Sequence, residues 1–424
     1  MSLCKRFALI AFAVACIPSA LFAQAARSPF STFGIGDQYG NALAHNQGMA
    51  GVGLSNPQYW FLNNQNPALL VFNNLTVFEA GFVGEQRTVT NGEISEQNGN
   101  GNLNYLALGF PVKKTKWSMA IGLMPYSASN YQLNYTEPIE GSTNTVDVVE
   151  AGSGGMNQLY WAHGVRLTKN VSVGGKLNYL FSSVVNQFVS TLSQTTQPVP
   201  FNTNIYERYH FSDFSLTGGI SFHKDSLFNK NYRVNLGVVY DLRADINTEY
   251  FQSIQRRGPT GITDSVTLVN NVRGTTTLPS GLGIGISFGR GYKWSLAADY
   301  QRVESTQFRN FLGEAPAARP SETIALGFEL TPDPTSLSNY LKRVTYRTGV
   351  SMMTLPYLVN GSDVQDFGIN FGLSLPVSRV SSLDLALKFG KRGDLQTNTI
   401  EESYFRFYFG VTFNDQWFIK RKFD

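Results

Sequence analysis

In the stretch Tyr404–Phe413 the side chains alternate without interruption. Phe405, Phe407, Phe409, Val411 and Phe413 fall on one side of an extended chain, and Tyr404, Arg406, Tyr408, Gly410 and Thr412 on the other. A period of two means a β-strand whose two faces meet different surroundings. The pattern recurs: Phe367, Ile369, Phe371, Leu373 and Leu375 oppose Gly368, Asn370, Gly372 and Ser374; Leu383, Leu385, Leu387 and Phe389 oppose Asp384, Ala386, Lys388 and Gly390; Val234, Leu236, Val238, Tyr240 and Leu242 oppose Asn235, Gly237, Val239, Asp241 and Arg243. A soluble sandwich also alternates, so the number and spacing of the strands must decide the architecture.

Runs of this kind lie near 75–88, 102–112, 116–127, 154–167, 170–184, 206–224, 232–244, 274–288, 291–304, 320–331, 343–354, 365–376, 380–391 and 403–414, fourteen in all. An even count is the rule for single-chain bacterial barrels. Short connections at 112–116, 167–170, 224–232, 288–291 and 376–380 alternate with long ones at 86–101, 128–153, 185–205, 243–273 and 304–319. Short periplasmic turns and long outer loops are the outer-membrane pattern; the connection 331–342 is longer than its class. Charged residues are 15% of the chain, against roughly 25% in soluble domains, as suits a wall with a lipid-facing side. The expectation is an all-β fold: a closed transmembrane antiparallel β-barrel of about fourteen strands with an N-terminal plug, in the outer membrane of a Gram-negative bacterium.

The ends of the chain carry other signals. Lys5 and Arg6 precede an apolar run from Phe7 to Ile17, too short to span a bilayer and suited to a secretory signal over residues 1–23, with cleavage after Ala23 or Ala25. Cys4 and Cys16, the two cysteines of the chain, lie inside it, so the mature protein is expected to have no disulfide. A rival reading makes Cys16 a lipoprotein cysteine, but Ala13, three residues before it, stands where Leu is usual. Beyond the signal there is no apolar run of 18 residues, hence no transmembrane helix. A basic tail, 415–424, contains Lys420, Arg421 and Lys422.

Residues 26–73 do not read as strands and are long enough to fill a fourteen-strand lumen. They contain Gly48-Met49-Ala50-Gly51 with Gly53, and Asn66-Pro67-Ala68. On these residues the chain resembles the FadL/TodX family of outer-membrane transporters for hydrophobic compounds, with Ala50 a departure from the usual glycine pattern. Ser28-Pro29-Phe30, Phe33-Gly34-Ile35-Gly36-Asp37 and the ending Phe413 to Lys422 look like the Bacteroidota branch of that family. The resemblance implies a barrel (74–414) closed by an N-terminal hatch, passive uptake, and lateral release through a kinked third strand. The residues offer Gly122 and Pro125 on that strand, since proline removes a ladder donor and glycine weakens a strand interior. The plain alternative is that Pro125 ends the strand near the outer rim.

Glu79, Lys176, Asp241, Arg243, Glu329, Arg347, Asp384, Lys388 and Arg406 fall on the lumen side. Their structural reading is mutual pairing and anchoring of the plug; their functional reading is that some receive a ligand carboxylate. His45, His163, His210 and His223 stand in no catalytic or metal-binding motif, and Trp60, Trp117, Trp161, Trp294 and Trp417 are candidates for an interfacial belt. No enzyme activity, cofactor or nucleic-acid partner is expected. The expected partners are outer-membrane lipid and a hydrophobic small molecule. Two functions compete beside an open polar porin, which the plug disfavours: an uptake channel for hydrophobic molecules, and a non-transporting barrel subunit that meets protein partners in an outer-membrane secretion or assembly complex.

Overall fold

The computed structural model describes residues 26–192, 201–227, 231–378 and 381–415. The signal segment with both cysteines, Trp417 and the basic residues of the tail lie outside them. Among the described residues no helix is long and apolar enough to cross a membrane. The wall is a closed antiparallel barrel of fourteen strands: β1 Thr76–Thr90, β2 Ser95–Lys113, β3 Trp117–Ala128 resuming as Tyr131–Pro138, β4 Thr145–Arg166, β5 Val171–Leu192, β6 Asn202–Leu227, β7 Tyr232–Asp241 resuming as Ala244–Gly258, β8 Gly261–Leu278 resuming as Gly281–Arg290, β9 Trp294–Val303, β10 Ser321–Leu330, β11 Thr345–Val359, β12 Ser362–Pro376, β13 Ser381–Gly393 and β14 Glu401–Asp415. Each strand pairs with its sequence neighbour. The ring closes where β14 meets β1, from Glu401 opposite Thr90 to Asp415 opposite Thr76. Closure pairs the first strand with the last, so the sheet has no terminal edge, the condition for a β-structure to span lipid.

The alternation seen in the sequence is the inside/outside alternation of this wall. On β12, Phe367, Ile369, Phe371 and Leu373 are exposed while Asn370 and Ser374 are buried. On β6, Phe214, Leu216, Ile220 and Phe222 are exposed while Thr217 and Ser221 are buried. An outward apolar band over inward polar groups is the transmembrane arrangement of an outer-membrane barrel. Strand lengths are unequal. β9 and β10 have 10 residues each, about 33 Å at roughly 3.3 Å per residue. β6 has 26 and extends far above the band, paired there with the second half of β7, Ala244–Gly258.

Residues 26–73 lie inside the wall. Their regular pieces are short: 3₁₀ segments at Pro29–Thr32 and Pro67–Phe72, a turn of helix at Ala44–Gln47, and a two-residue strand at Asp37–Gln38. Asn66 caps the 3₁₀ segment by accepting from the Ala68 amide at 3.0 Å, with Pro67 at the position where a missing N–H costs nothing.

Candidate functional site: an anchored inner segment and a gap in the wall

The inner segment has a lower and an upper part. The lower part, residues 41–73, rests directly on the lumen surface. A Cβ on Gly372 of β12 would stand 2.6 Å from the Gly48 Cα, and one on Gly237 of β7 would overlap the Leu54 carbonyl. Inward glycines let the two backbones touch. Buried wall side chains then satisfy its irregular backbone. Glu79 accepts from the Leu62 amide at 2.7 Å, and Asp299 from the amides of Gly53 and Leu54 at 2.7 and 2.9 Å. Lys176 donates to the Asn64 carbonyl at 3.1 Å, Asn370 to that of Gln47 at 2.7 Å, and Ser172 to that of Ala68 at 2.9 Å. Met49 is buried over Gly327 and Gly349. Gly51 takes φ +82°, a left-handed turn. The Asn66 side chain donates to Leu54 O at 2.8 Å, closing the loop between them.

The upper part, residues 27–39, occupies a gap in the wall. The β2–β3 ladder runs from Lys113 opposite Trp117 to Leu106 opposite Leu123 and stops there. Beyond it, among the described strands of the wall, β2 keeps only its pairing with β1 and β3 only that with β4. Register shifts bend both strands near this point: on β2 beside Asn104, opposite Gly81 and Phe82, and on β3 between Pro125 and Ser127. Extra residues of this kind kink a strand away from its partner. β3 itself breaks at Ser129 and Asn130, across from Gly154 and Gly155 with φ of +101° and +149°.

Residues 27–39 strap this opening shut. Asp37 and Gln38 pair with Ala128 and Ser127 as a short antiparallel strand on the free edge of β3. The Ser28 amide donates to Asn130 O at 2.9 Å, the Tyr39 amide to Tyr126 O at 3.1 Å, and the Arg27 amide to the Asn98 side chain on β2 at 2.8 Å. Gly36, at φ +89°, admits the β3 backbone where a Cβ would meet Ala128 O at 2.2 Å. Asp37 also reaches across the lumen to Arg392, whose guanidinium donates to both of its oxygens at 2.9 Å. That pair belongs to a cluster of four cations, Arg87, Lys388, Arg392 and Arg406, with four carboxylates, Asp37, Glu85, Asp366 and Glu402.

Apolar space adjoins the strap. Phe33 stacks on Tyr357 at 4.0 Å, and Phe30, Ile35, Phe308, Met353 and Leu355 help enclose a cavity of about 90 Å³. Behind the strap a second cavity of about 310 Å³ extends from Tyr126 on β3 to Asp241, Lys388 and Arg406. Below the lower part a third, of about 640 Å³, faces the periplasm.

Of the expected lumen charges, Glu79 and Lys176 hold the inner segment. Arg347 pairs with Glu329 at 3.2 Å, Lys388 stands 3.8 Å from Asp366, and Arg406 donates to Glu85 at 2.9 Å. Asp384 accepts from Thr412 at 3.0 Å and from Ser374. Asp241 accepts from Thr217 at 2.6 Å at the edge of the 310 Å³ cavity. Arg243 is a correction: pairing is interrupted at Leu242 and Arg243, the alternation is lost, and the side chain stands exposed 3.9 Å from Asp245. Gly122 is a second correction. Its strand is paired on both sides, to Ala107 and Tyr160, and its missing side chain accommodates the buried Tyr160 ring. Pro125 lies just past the last β2–β3 pair, opposite Asn157 at the register shift. Trp60 belongs to the inner segment and faces the 640 Å³ cavity instead of an outer belt.

The sequence pointed to a break on β3 at Gly122 and Pro125, and not to Asp299 or to the Asp37–Arg392 contact. Asp299 is the in-phase polar residue of Ser295, Ala297, Asp299, and the Gly154-Gly155 pair on β4 marks the break in β3 at Ser129 and Asn130. Among the described residues no cluster of His, Cys, Asp or Glu is placed to hold a metal ion.

A family model described as BamG matches residues 3–424. The chain belongs to the BamG family. No curated relative matches it in sequence. Solved structures similar to this BamG family member include the Pseudomonas putida toluene transporter TodX, with a TM-score of 0.55, 14% identity, and 90% of this chain and 99% of that one covered. The Ralstonia pickettii toluene transporter TbuX gives 0.52 at 13% identity, covering 89% and 98%. A Pseudomonas aeruginosa FadL homologue gives 0.54 at 11% identity, covering 89% and 99%. At these identities the likeness is one of fold.

Proposed function

We propose that this barrel is an outer-membrane channel that admits hydrophobic small molecules from outside and releases them sideways into the bilayer between β2 and β3. The observation that carries this reading is the end of the β2–β3 ladder at Leu106 and Leu123, with only the strap behind it. An apolar molecule loses about 0.8 kcal/mol per methylene on entering water, so a route into lipid is favoured over one into the periplasm. The strap is held without a covalent bond, beside apolar space lined by Phe30, Phe33 and Met353. The names of TodX and TbuX, which share the fold, describe transport of an apolar aromatic compound.

The test is a reversible lock. Gln38 and Ser127 stand opposite each other; with Gln38→Cys and Ser127→Cys, oxidation should stop accumulation of N-phenylnaphthylamine in liposomes carrying the protein, and reduction should restore it. Equal uptake by locked and unlocked barrels would place the route elsewhere or remove transport altogether.

A second reading, a non-transporting barrel subunit of a larger outer-membrane complex, is favoured by a different observation. β3 to β8 continue above the membrane band as a tall sheet. Its last strand, Gly261–Leu278, is paired on one side by Ala244–Gly258 and on the other only by a single bridge at Thr277, leaving Ile262, Val266, Leu268 and Val272 exposed. Such an edge offers unpaired backbone groups to a protein partner. Mild extraction followed by mass measurement separates the readings: a stable complex with a protein that covers this edge supports the second.

A further inference from the structure

The cavity below the inner segment has a chemistry that passage of an apolar molecule does not use. It is a cup of about 640 Å³ lined by Tyr59, Trp60, Tyr292 and Tyr340 together with Arg233, Lys293 and Arg343. None of these three cations lies within 4.0 Å of a carboxylate among the described residues. Arg233 lies over the Tyr59 ring at 5.9 Å, Arg343 over Tyr340 at 5.3 Å, and the Arg343 Nε is buried without a hydrogen-bond partner. The lining carboxylate, Glu329, is already paired with Arg347.

The surroundings share this sign. The turns 113–117, 166–171, 224–233, 290–294 and 331–345 carry twelve lysines or arginines in sequence, against Asp225 and Asp333. Asp333 accepts from the Thr335 hydroxyl at 2.8 Å and its amide at 3.1 Å, both at Oδ1, which lowers its pKa. The cup's outer lip is the long turn 331–344, where Leu337 is 99% exposed beside exposed Tyr340 and Leu341. Periplasmic turns of such barrels are short, and bare aromatic and aliphatic groups rimmed by charge mark contact sites.

We propose that this cup is a docking socket for an acidic, aromatic-bearing segment of a periplasmic protein. The carboxylates of that segment answer Arg233, Lys293 and Arg343, and its aromatic side chains fill the space between Trp60, Tyr292 and Leu337. Arginine and aromatic side chains are the groups that contribute most in such contacts. The lower inner segment separates the socket from the strap, so docking is independent of whether molecules pass between β2 and β3.

The probe is a fluorescein-labelled peptide of about twelve residues alternating Glu and Tyr, titrated with the full-length barrel in detergent and followed by anisotropy. Binding should weaken at least about tenfold, the equivalent of 1.4 kcal/mol, when Arg233→Gln, Lys293→Gln and Arg343→Gln are combined. It should also weaken with salt and vanish for the peptide with Lys in place of Glu. Lys293→Gln alone, on an exposed turn, guards against misfolding and should give part of the loss. Unchanged affinity in a heat-modifiable triple variant, or equal binding of the Lys peptide, overturns the proposal. A photocrosslinking residue at Leu337 in living cells should give a periplasmic-protein adduct that the triple variant loses. Adducts to lipid alone would overturn it, as would a Leu337→Cys to Trp417→Cys disulfide showing that the chain's own tail fills the cup. Dye uptake is measured separately, so a failed lock experiment and a failed peptide titration report on different claims.

Discussion

The lower and upper parts of the inner segment are neighbours in sequence and are held in different ways. Residues 41–73 lie on inward glycines and are fixed by buried groups from β1, β5, β9 and β12. Removing any one anchor leaves the others. Residues 27–39 are held at an edge by a two-residue ladder, a few backbone bonds and the Asp37–Arg392 pair. The lower part has the properties of a fixed floor, since its displacement would bury unpaired charges and amides. The upper part has those of a shutter, because most of its bonds can be exchanged for water or for its own wall partners.

The sharpest way to break this contrast is to force the floor out. Gly372→Val places branched carbons where Gly48 touches β12. Overpacking a tight contact costs roughly 1–3 kcal/mol, and backbone contact leaves little room to relax. The variant should show the largest rise in single-channel conductance and in sensitivity to bulky antibiotics. Asp299→Ala should come next. It leaves the Gly53 and Leu54 amides without their acceptor, at about 1–3 kcal/mol each, and should loosen the floor and raise conductance less than Gly372→Val. If both variants conduct like the parent, the floor is not what closes the lumen.

Much of the wall was legible in the sequence because lipid and lumen impose opposite polarity on alternate residues. Phe405 to Phe413 needed no tertiary information. Asp299 was harder to see because Ala297 and Ala298, the residues before it, are equally small and blur the two faces. Arg243 misled because parity holds only while a strand is continuous, and β7 is interrupted there. The gap was the least legible feature. Where a ladder ends depends on two strands together: Pro125 marked the β3 side, but the shift beside Asn104 leaves no mark in β2 alone. Gly122 looked like a weak point for the same reason; its role is set by Tyr160 on the next strand.

The shutter should respond to smaller changes. Asp37→Ala removes the group that Arg392 grips and leaves four cations facing three carboxylates in the cluster. Unpairing a buried charge typically costs 3–5 kcal/mol, but Arg392 keeps Asp366 at 2.9 Å and has Glu402 at 3.9 Å, so the loss should fall well below that range. The expectation is normal barrel stability with faster modification of a cysteine placed at Ser127. Slow modification, like that of the parent, would mean that the short ladder alone holds the strap and that Asp37 is no latch.

The smallest expected effect is at the strap's outermost contact. Asn98 on β2 accepts from the Arg27 amide at 2.8 Å and donates to the Arg27 carbonyl at 3.3 Å, and both bonds are exposed. A hydrogen bond contributes about 0.5–1.5 kcal/mol net, and water can replace both partners here. Asn98→Ala should therefore leave conductance and stability unchanged and raise exchange of the Arg27 amide severalfold. The Gln38 amide, deeper along the strap, should stay as protected as in the parent. That gradient is what separates a strap that peels from the β2 side from one that leaves as a unit. Equal acceleration at Arg27 and Gln38 would show that the upper part moves as one piece, and the Asn98 contact would then be part of the lock instead of its fraying end.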